Sequence, residues 1–147
     1  MCHQEIRKMN PNKIAHLGFI QSVITRLSTN SFLIKAWSVT VVAATFALAA
    51  KDANINYILV AYLPVVIFWG LDGFFLAQER QYRELYRVVA ERSEAEIDFS
   101  MDASNFDSGN RTIWFCIFSK TLLPFHGVLL AVILVVMFVI PRLRAAG

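Results

Sequence analysis

Cysteine, histidine and glycine are scarce in this sequence, and each scarcity closes off a class of chemistry. The two cysteines, Cys2 and Cys116, stand far apart with no CxxC or Cys/His spacing around them, so neither a disulfide framework nor a zinc centre is supported. The three histidines do not cluster, and there is no H-E-x-x-H, no G-x-S-x-G nucleophile elbow and no glycine-rich phosphate loop. The carboxylates of the middle segment lack a partner nucleophile and enough neighbouring aromatics to form a dry pocket. The chain therefore reads as a non-enzyme, with no catalytic residues, no cofactor and no metal.

What the sequence has in excess is apolar surface. Hydrophobic residues make up 56% of the 147, with a mean hydropathy of +0.51, against roughly 45–50% in an ordinary soluble domain. The surplus is concentrated in residues 32–50, 55–77 and 121–140, each close to the ~20 residues a helix needs to span ~30 Å of hydrocarbon. A water-soluble bundle this small has too little amphipathic surface to cover three apolar helices. The sequence thus predicts an all-α integral membrane protein crossing the bilayer three times. The first apolar run begins only at Phe32, after Pro11 and an amphipathic stretch, which is unlike a cleaved secretory signal and predicts a signal-anchor. The net charge of +3 and pI near 9.1 are then orientation signals and not a nucleic-acid footprint.

Four segments follow. Residues 1–31 form a cytosolic or interfacial N-terminal segment, in which Ile14, Leu17, Ile20, Val23, Ile24 and Leu27 share one stripe and Lys13, His16, Ser22 and Arg26 lie off it. Ser28, Thr29, Asn30 and Ser31 offer caps for a new helix. Residues 32–77 form a transmembrane hairpin. Its first helix has a small-residue stripe, Ala36, Thr40, Ala43, Ala44, Ala47 and Ala50, suited to close packing, and residues 51–54 turn the chain back. Pro64 is a candidate kink. Residues 78–120 begin with the cytosolic continuation of the second helix, supported by Glu79 with Arg83, Arg80 with Glu84 and Arg87 with Glu91, and by an apolar face including Tyr82, Leu85 and Val89. An acidic loop follows, then an aromatic segment with Trp114, Phe115 and Phe118 at the membrane interface. Residues 121–147 supply the third span and a short tail.

Arg7, Lys8, Lys13, Arg26 and Lys35 precede the first span, Lys51 alone lies in the hairpin turn, and Arg80 to Lys120 carry most of the remaining positive charge. This places the N-terminus and the middle segment in the cytosol. Three crossings then put the C-terminus outside; Arg142 and Arg144 favour the alternative, in which the third segment re-enters without crossing.

Two groups of residues are candidates for function. Lys35 and Asp72 are ionisable residues inside apolar blocks, where a charge is costly unless paired, wet or near an interface. A hairpin turning near residues 53 and 54 sets them opposite one another as an ion pair, structural or used in gating. Asn30, Trp37, Trp69 and Gln78 lie at similar depth and are candidates to complete a polar cluster. On the projecting helix, Arg80, Tyr82, Arg83, Tyr86 and Arg87 could stack a base and hold phosphate; helix packing with solvated ion pairs is the plainer account of the same face. His126 reads as an interfacial or interhelical hydrogen-bonding residue.

The residues His16, Asn30, Ser31, Phe32, Lys35 and Trp37, then Phe68, Trp69, Leu71, Asp72, Glu79, Arg80, Tyr82, Arg83, Leu85 and Tyr86, then Phe99, Ser100, Met101 and Asp102, and last Ser119, Lys120, Thr121, Leu122 and Phe125 resemble a family of small bacterial multi-pass membrane proteins. That group, and the broadly similar two-span SLATT proteins, are associated with antiviral defence beside TIR-like or nucleotide-signalling enzymes. The third hydrophobic segment departs from the two-span pattern. The resemblance implies an effector that senses a nucleotide signal, beside TIR-like or nucleotide-signalling partners, and damages the inner membrane; the small-residue stripe adds the expectation of a homo-oligomer. The alternative is a non-lytic scaffold anchoring a soluble partner. A reporter fused after Gly147 tests the crossing number: three crossings predict activity outside the membrane, and activity confined to the cytosol contradicts them.

Overall fold

The computed structural model describes residues 10–52 and 60–145. Cys2, Arg7 and Lys8, the turn residues Ala53 and Asn54, and residues 55–59 of the second apolar block lie outside the described residues. The described residues form helices and no strand: α1 (Pro11–Asp52), α2 (Tyr62–Glu91), the short α3 (Ile113–Ile117) and α4 (Leu122–Ala145), with three single 3₁₀ turns between α2 and α3.

Helix α1 is one uninterrupted element of 42 residues, roughly 60 Å at about 1.5 Å per residue. The helix break expected at 28–31 is absent. The hydroxyls there do not cap a new helix. Those of Thr25 and Thr29 donate to the carbonyls of Gln21 and Thr25, at 3.0 and 2.9 Å, and Ser31 donates across to Asp72. A helix interior tolerates such residues when the hydroxyl bonds back one turn. The true start is Asn10, whose Oδ1 accepts the Asn12 amide at 2.9 Å, followed by Pro11 where a missing N–H costs nothing.

Helix α2 lies antiparallel against α1, and the packed face follows helical spacing: Ile20, Ile24, Ser31, Ser38, Val42 and Ala49 are buried. Lys13 and His16, expected on the open side, are buried on this face too. Lys13 Nζ donates to the carbonyls of Ala90 and Arg92, at 3.0 and 2.8 Å, where α2 ends; these are carbonyls with no partner inside their own helix. The stripe from Ala36 to Ala50 does not face α2: Ala36, Thr40, Ala43, Ala44, Ala47 and Ala50 all point outward.

Two apolar clusters form along the pair. Ile20, Ile24, Leu85 and Val89 pack with Ile97 and Ala103 of the acidic loop at one end. Val42, Ala49, Ala61 and Val65 pack with Ile133 of α4 at the other. Pro64 falls in the first turn of α2 and produces no interior kink, and Pro124 sits likewise in the first turn of α4. Residues 141–145 extend α4 rather than forming a tail.

Among the described residues two helices are long and apolar enough to cross a membrane, within Pro11–Lys51 and Leu122–Val139. The second apolar block, 55–77, begins in residues outside the described ones, and α2, which carries the rest of it, turns polar at Gln78. As expected, α2 runs unbroken across that boundary to Glu91.

Short α3 is held against α2 by a close approach. A Cβ on Gly73 would collide with the Ile117 side chain and lie 3.4 Å from its Cα and N, whereas one on Gly70 would meet open space. Gly73→Ala is expected to destabilise the fold by about 1–3 kcal/mol through overpacking, and Gly70→Ala to be nearly silent. Thermal unfolding of the detergent-solubilised variants checks both.

Candidate functional site

Between the two apolar clusters lies a compact polar cluster built on Asp72, whose side chain is fully buried. Lys35 Nζ reaches it at 2.6 Å from Oδ2 and 2.8 Å from Oδ1. Ser31 donates its hydroxyl to Oδ1 and accepts from Lys35 Nζ at 2.9 Å. From α4, His126 Nε2 lies 3.1 Å from Oδ2. With Asp72 paired as a carboxylate to Lys35, Nε2 is the nitrogen that carries the hydrogen. One carboxylate thus joins α1, α2 and α4.

The fold fixes each participant. Ser31 and Lys35 are one turn apart on α1, so their side chains reach the same point. His126, fully buried, stacks on Trp69 with ring centroids 5.7 Å apart and planes 12° apart. Trp69 is locked in turn by its Nε1, which donates to the Ile117 carbonyl at 2.9 Å. The remaining ring nitrogen of His126, Nδ1, is buried with no partner. A charge pair in apolar surroundings survives when hydrogen bonds occupy the remaining lone pairs, and Ser31 and His126 do this for Asp72.

No protein-family model, curated protein or solved structure matches this chain.

The predicted pairing of Lys35 with Asp72 is therefore present. Of the residues expected to complete the cluster, Trp69 joins it by stacking on His126, and the other three lie elsewhere. Asn30 and Trp37 line a separate cleft of about 210 Å³ with Leu33, Ile34 and Phe75, and Gln78 borders a cavity of about 320 Å³ beside Gln81, Asp102 and Asp107. Ser31, expected to cap a new helix, donates to Asp72 instead, and His126, expected as an interfacial or interhelical hydrogen-bonding residue, supplies the contact from α4, although nothing in its spacing names Asp72 as the partner.

The five residues of the projecting face do not converge. Arg80 donates to the Asn110 carbonyl at 2.6 Å rather than pairing with Glu84. Arg83 pairs with Glu79 at 2.7 Å, and Arg87 bridges Glu84 and Glu91 at 2.5 and 3.1 Å. Tyr82 packs against the cluster around Leu85, and Tyr86 is exposed. The Arg87 guanidinium holds the Glu84 carboxyl below its ordinary range, and hydrogen bonds from Ser93 do the same for Glu96.

The end of the α1–α2 pair around Ile20 and Leu85 also holds an open groove of about 630 Å³, lined by Ala15, His16, Phe19, Val23, Phe99 and Met101 among others. His16 is buried beneath it with Nε2 unpartnered, edge-on to Phe99 at 5.5 Å. Phe99 adopts a φ of 56°, left-handed backbone that a bulky residue rarely occupies. Such strain concentrates at binding sites.

Removing Asp72 leaves Lys35 facing a buried void. Asp72→Ala is expected to cost about 3–5 kcal/mol of stability, and Lys35→Met combined with Asp72→Ala less than the sum of the two single changes. Denaturant unfolding in detergent across this double-mutant cycle checks the coupling.

Proposed function

We propose that this chain is a multi-pass effector of the bacterial inner membrane, acting as a homo-oligomer in antiviral defence. A cytosolic signal received on the projecting halves of α1 and α2 is converted into rearrangement of the spans, and the bilayer is permeabilised. The observation that carries the reading is the continuity of two helices from the Asp72 cluster into the projecting half. A tilt imposed there arrives at a buried three-helix junction with no hinge to absorb it.

Other features support parts of this reading. The distribution of Lys and Arg favours a cytosolic N-terminus. The outward small-residue stripe of α1 leaves a face on which a second copy could pack closely in lipid. The groove over His16 is a concave apolar feature on the projecting half, and Arg83 and Arg87 lie exposed on the neighbouring helix. A nucleotide second messenger or a TIR-like protein is the signal source that the resemblance implies.

The exposed projecting half favours a second reading, a non-lytic anchor for a soluble partner. Cells expressing the chain with its neighbouring genes and loaded with a potential-sensitive dye separate the two. The effector reading predicts depolarisation during phage challenge; unchanged polarisation, with the protein recovered in the membrane fraction, overturns it. Loss of a co-purifying partner in Arg83→Glu/Arg87→Glu, without depolarisation in the wild type, identifies the anchor instead.

A further inference from the structure

A second groove, of about 570 Å³, opens where α3 turns into α4, between Arg80 of α2 and the aromatic side chains of α3. We propose that it binds an anionic phospholipid, with the headgroup phosphate between Arg80 and Lys120 and the glycerol and upper acyl chains along Trp114, Phe115 and Phe118.

Short α3 has one face committed to α2 through Ile117 and Trp69. Its other face presents Trp114 at 71% and Phe115 at 55% exposure, and Phe118 just past its end, edge-on to Trp69, is still 64% exposed. Their level along the bundle is set by neighbours. The groove lies where the charged run of α2 begins, at Glu79 and Arg80, and where the apolar run of α4 begins, at Leu122. Aromatic side chains at such a boundary match the zone between headgroups and hydrocarbon.

Charge selects among the occupants of that zone. The lining contains two cations and no carboxylate. Lys120 is exposed and makes no ion pair among the described residues. Arg80 gives Nη1 to the Asn110 carbonyl, which fixes the guanidinium while its other donors remain for phosphate oxygens. A soluble phosphate would use the cations and leave the aromatic wall bare. A zwitterionic lipid would cover the wall and bring a choline charge toward two cations. An anionic phospholipid satisfies both features.

This inference rests on the membrane reading of the apolar helices and not on effector activity. The full chain is placed in phosphatidylcholine nanodiscs containing an equal fraction of either brominated phosphatidylcholine or brominated phosphatidylglycerol. Trp114 emission is obtained as the difference from Trp114→Phe. Quenching is expected to favour phosphatidylglycerol, by roughly fivefold in local enrichment for each cation, and Lys120→Gln, which removes no side-chain hydrogen bond or ion pair among the described residues, should lower that preference. Equal quenching by the two lipids overturns the proposal, and so does a preference that inorganic phosphate abolishes. Absence of quenching by either lipid, with the chain dispersed in buffer, overturns the membrane reading itself.

Discussion

A single carboxylate in apolar surroundings dictates how this molecule is assembled. Asp72 is buried completely, and an ionised group in that position is tolerated only with a countercharge and enough donors for its oxygens. Lys35 supplies the charge, and Ser31 and His126 complete the set. Because these donors come from α1 and α4, satisfying Asp72 fixes the register of three helices at once. A slip of either neighbour by one turn would carry its donors about 5 Å away, so the cluster acts as a pin between apolar surfaces that could otherwise slide.

The two halves on either side of that pin are stabilised differently. Toward Ile133 an aliphatic centre is flanked by Phe46 and Tyr62 and shared among three helices, while the outward faces of α1 and α4 expose large apolar side chains such as Phe32, Trp37, Val135 and Phe138. Toward Leu85 the core is completed by the acidic loop, which folds back over it through Ile97 and Ala103. That loop is ordered by local devices: Ser93 and Glu96 form a reciprocal cap, and Arg111 binds the Phe106 carbonyl at 2.8 Å. One half uses apolar contact and the other uses hydrogen-bonded turns. This division matches hydrocarbon around the first and water around the second.

What could be read from the sequence is what obeys periodicity and pairing. The opposition of Lys35 and Asp72 follows from an antiparallel hairpin alone, and the uninterrupted α2 follows from its i to i+4 pairs and lack of interior breakers. What could not be read involves choices among partners. Ser28 to Ser31 look like caps because their side chains compete for backbone groups, yet Thr25 and Thr29 satisfy theirs inside the helix and Ser31 finds a carboxylate. Lys13 and His16 look solvent-facing because they are polar, and a buried lysine is legible only once the carbonyls it meets are known. Glu84 could pair with Arg80 or Arg87 by spacing, and the loop decides, because it claims Arg80 for Asn110. The cleft beside Trp37 and the cavity beside Gln78 show the same limit: shared depth along a bundle does not imply a shared side of it.

The Lys13 contact has a consequence for how the molecule comes apart. The ammonium near the start of α1 closes the carbonyls that finish α2, so each terminus lacks its partner when the other unwinds. Fraying at this extremity is therefore a joint event: the opening turn of one helix and the closing turn of the other melt and re-form together, and the tip of the molecule behaves as one cooperative unit instead of two loose ends.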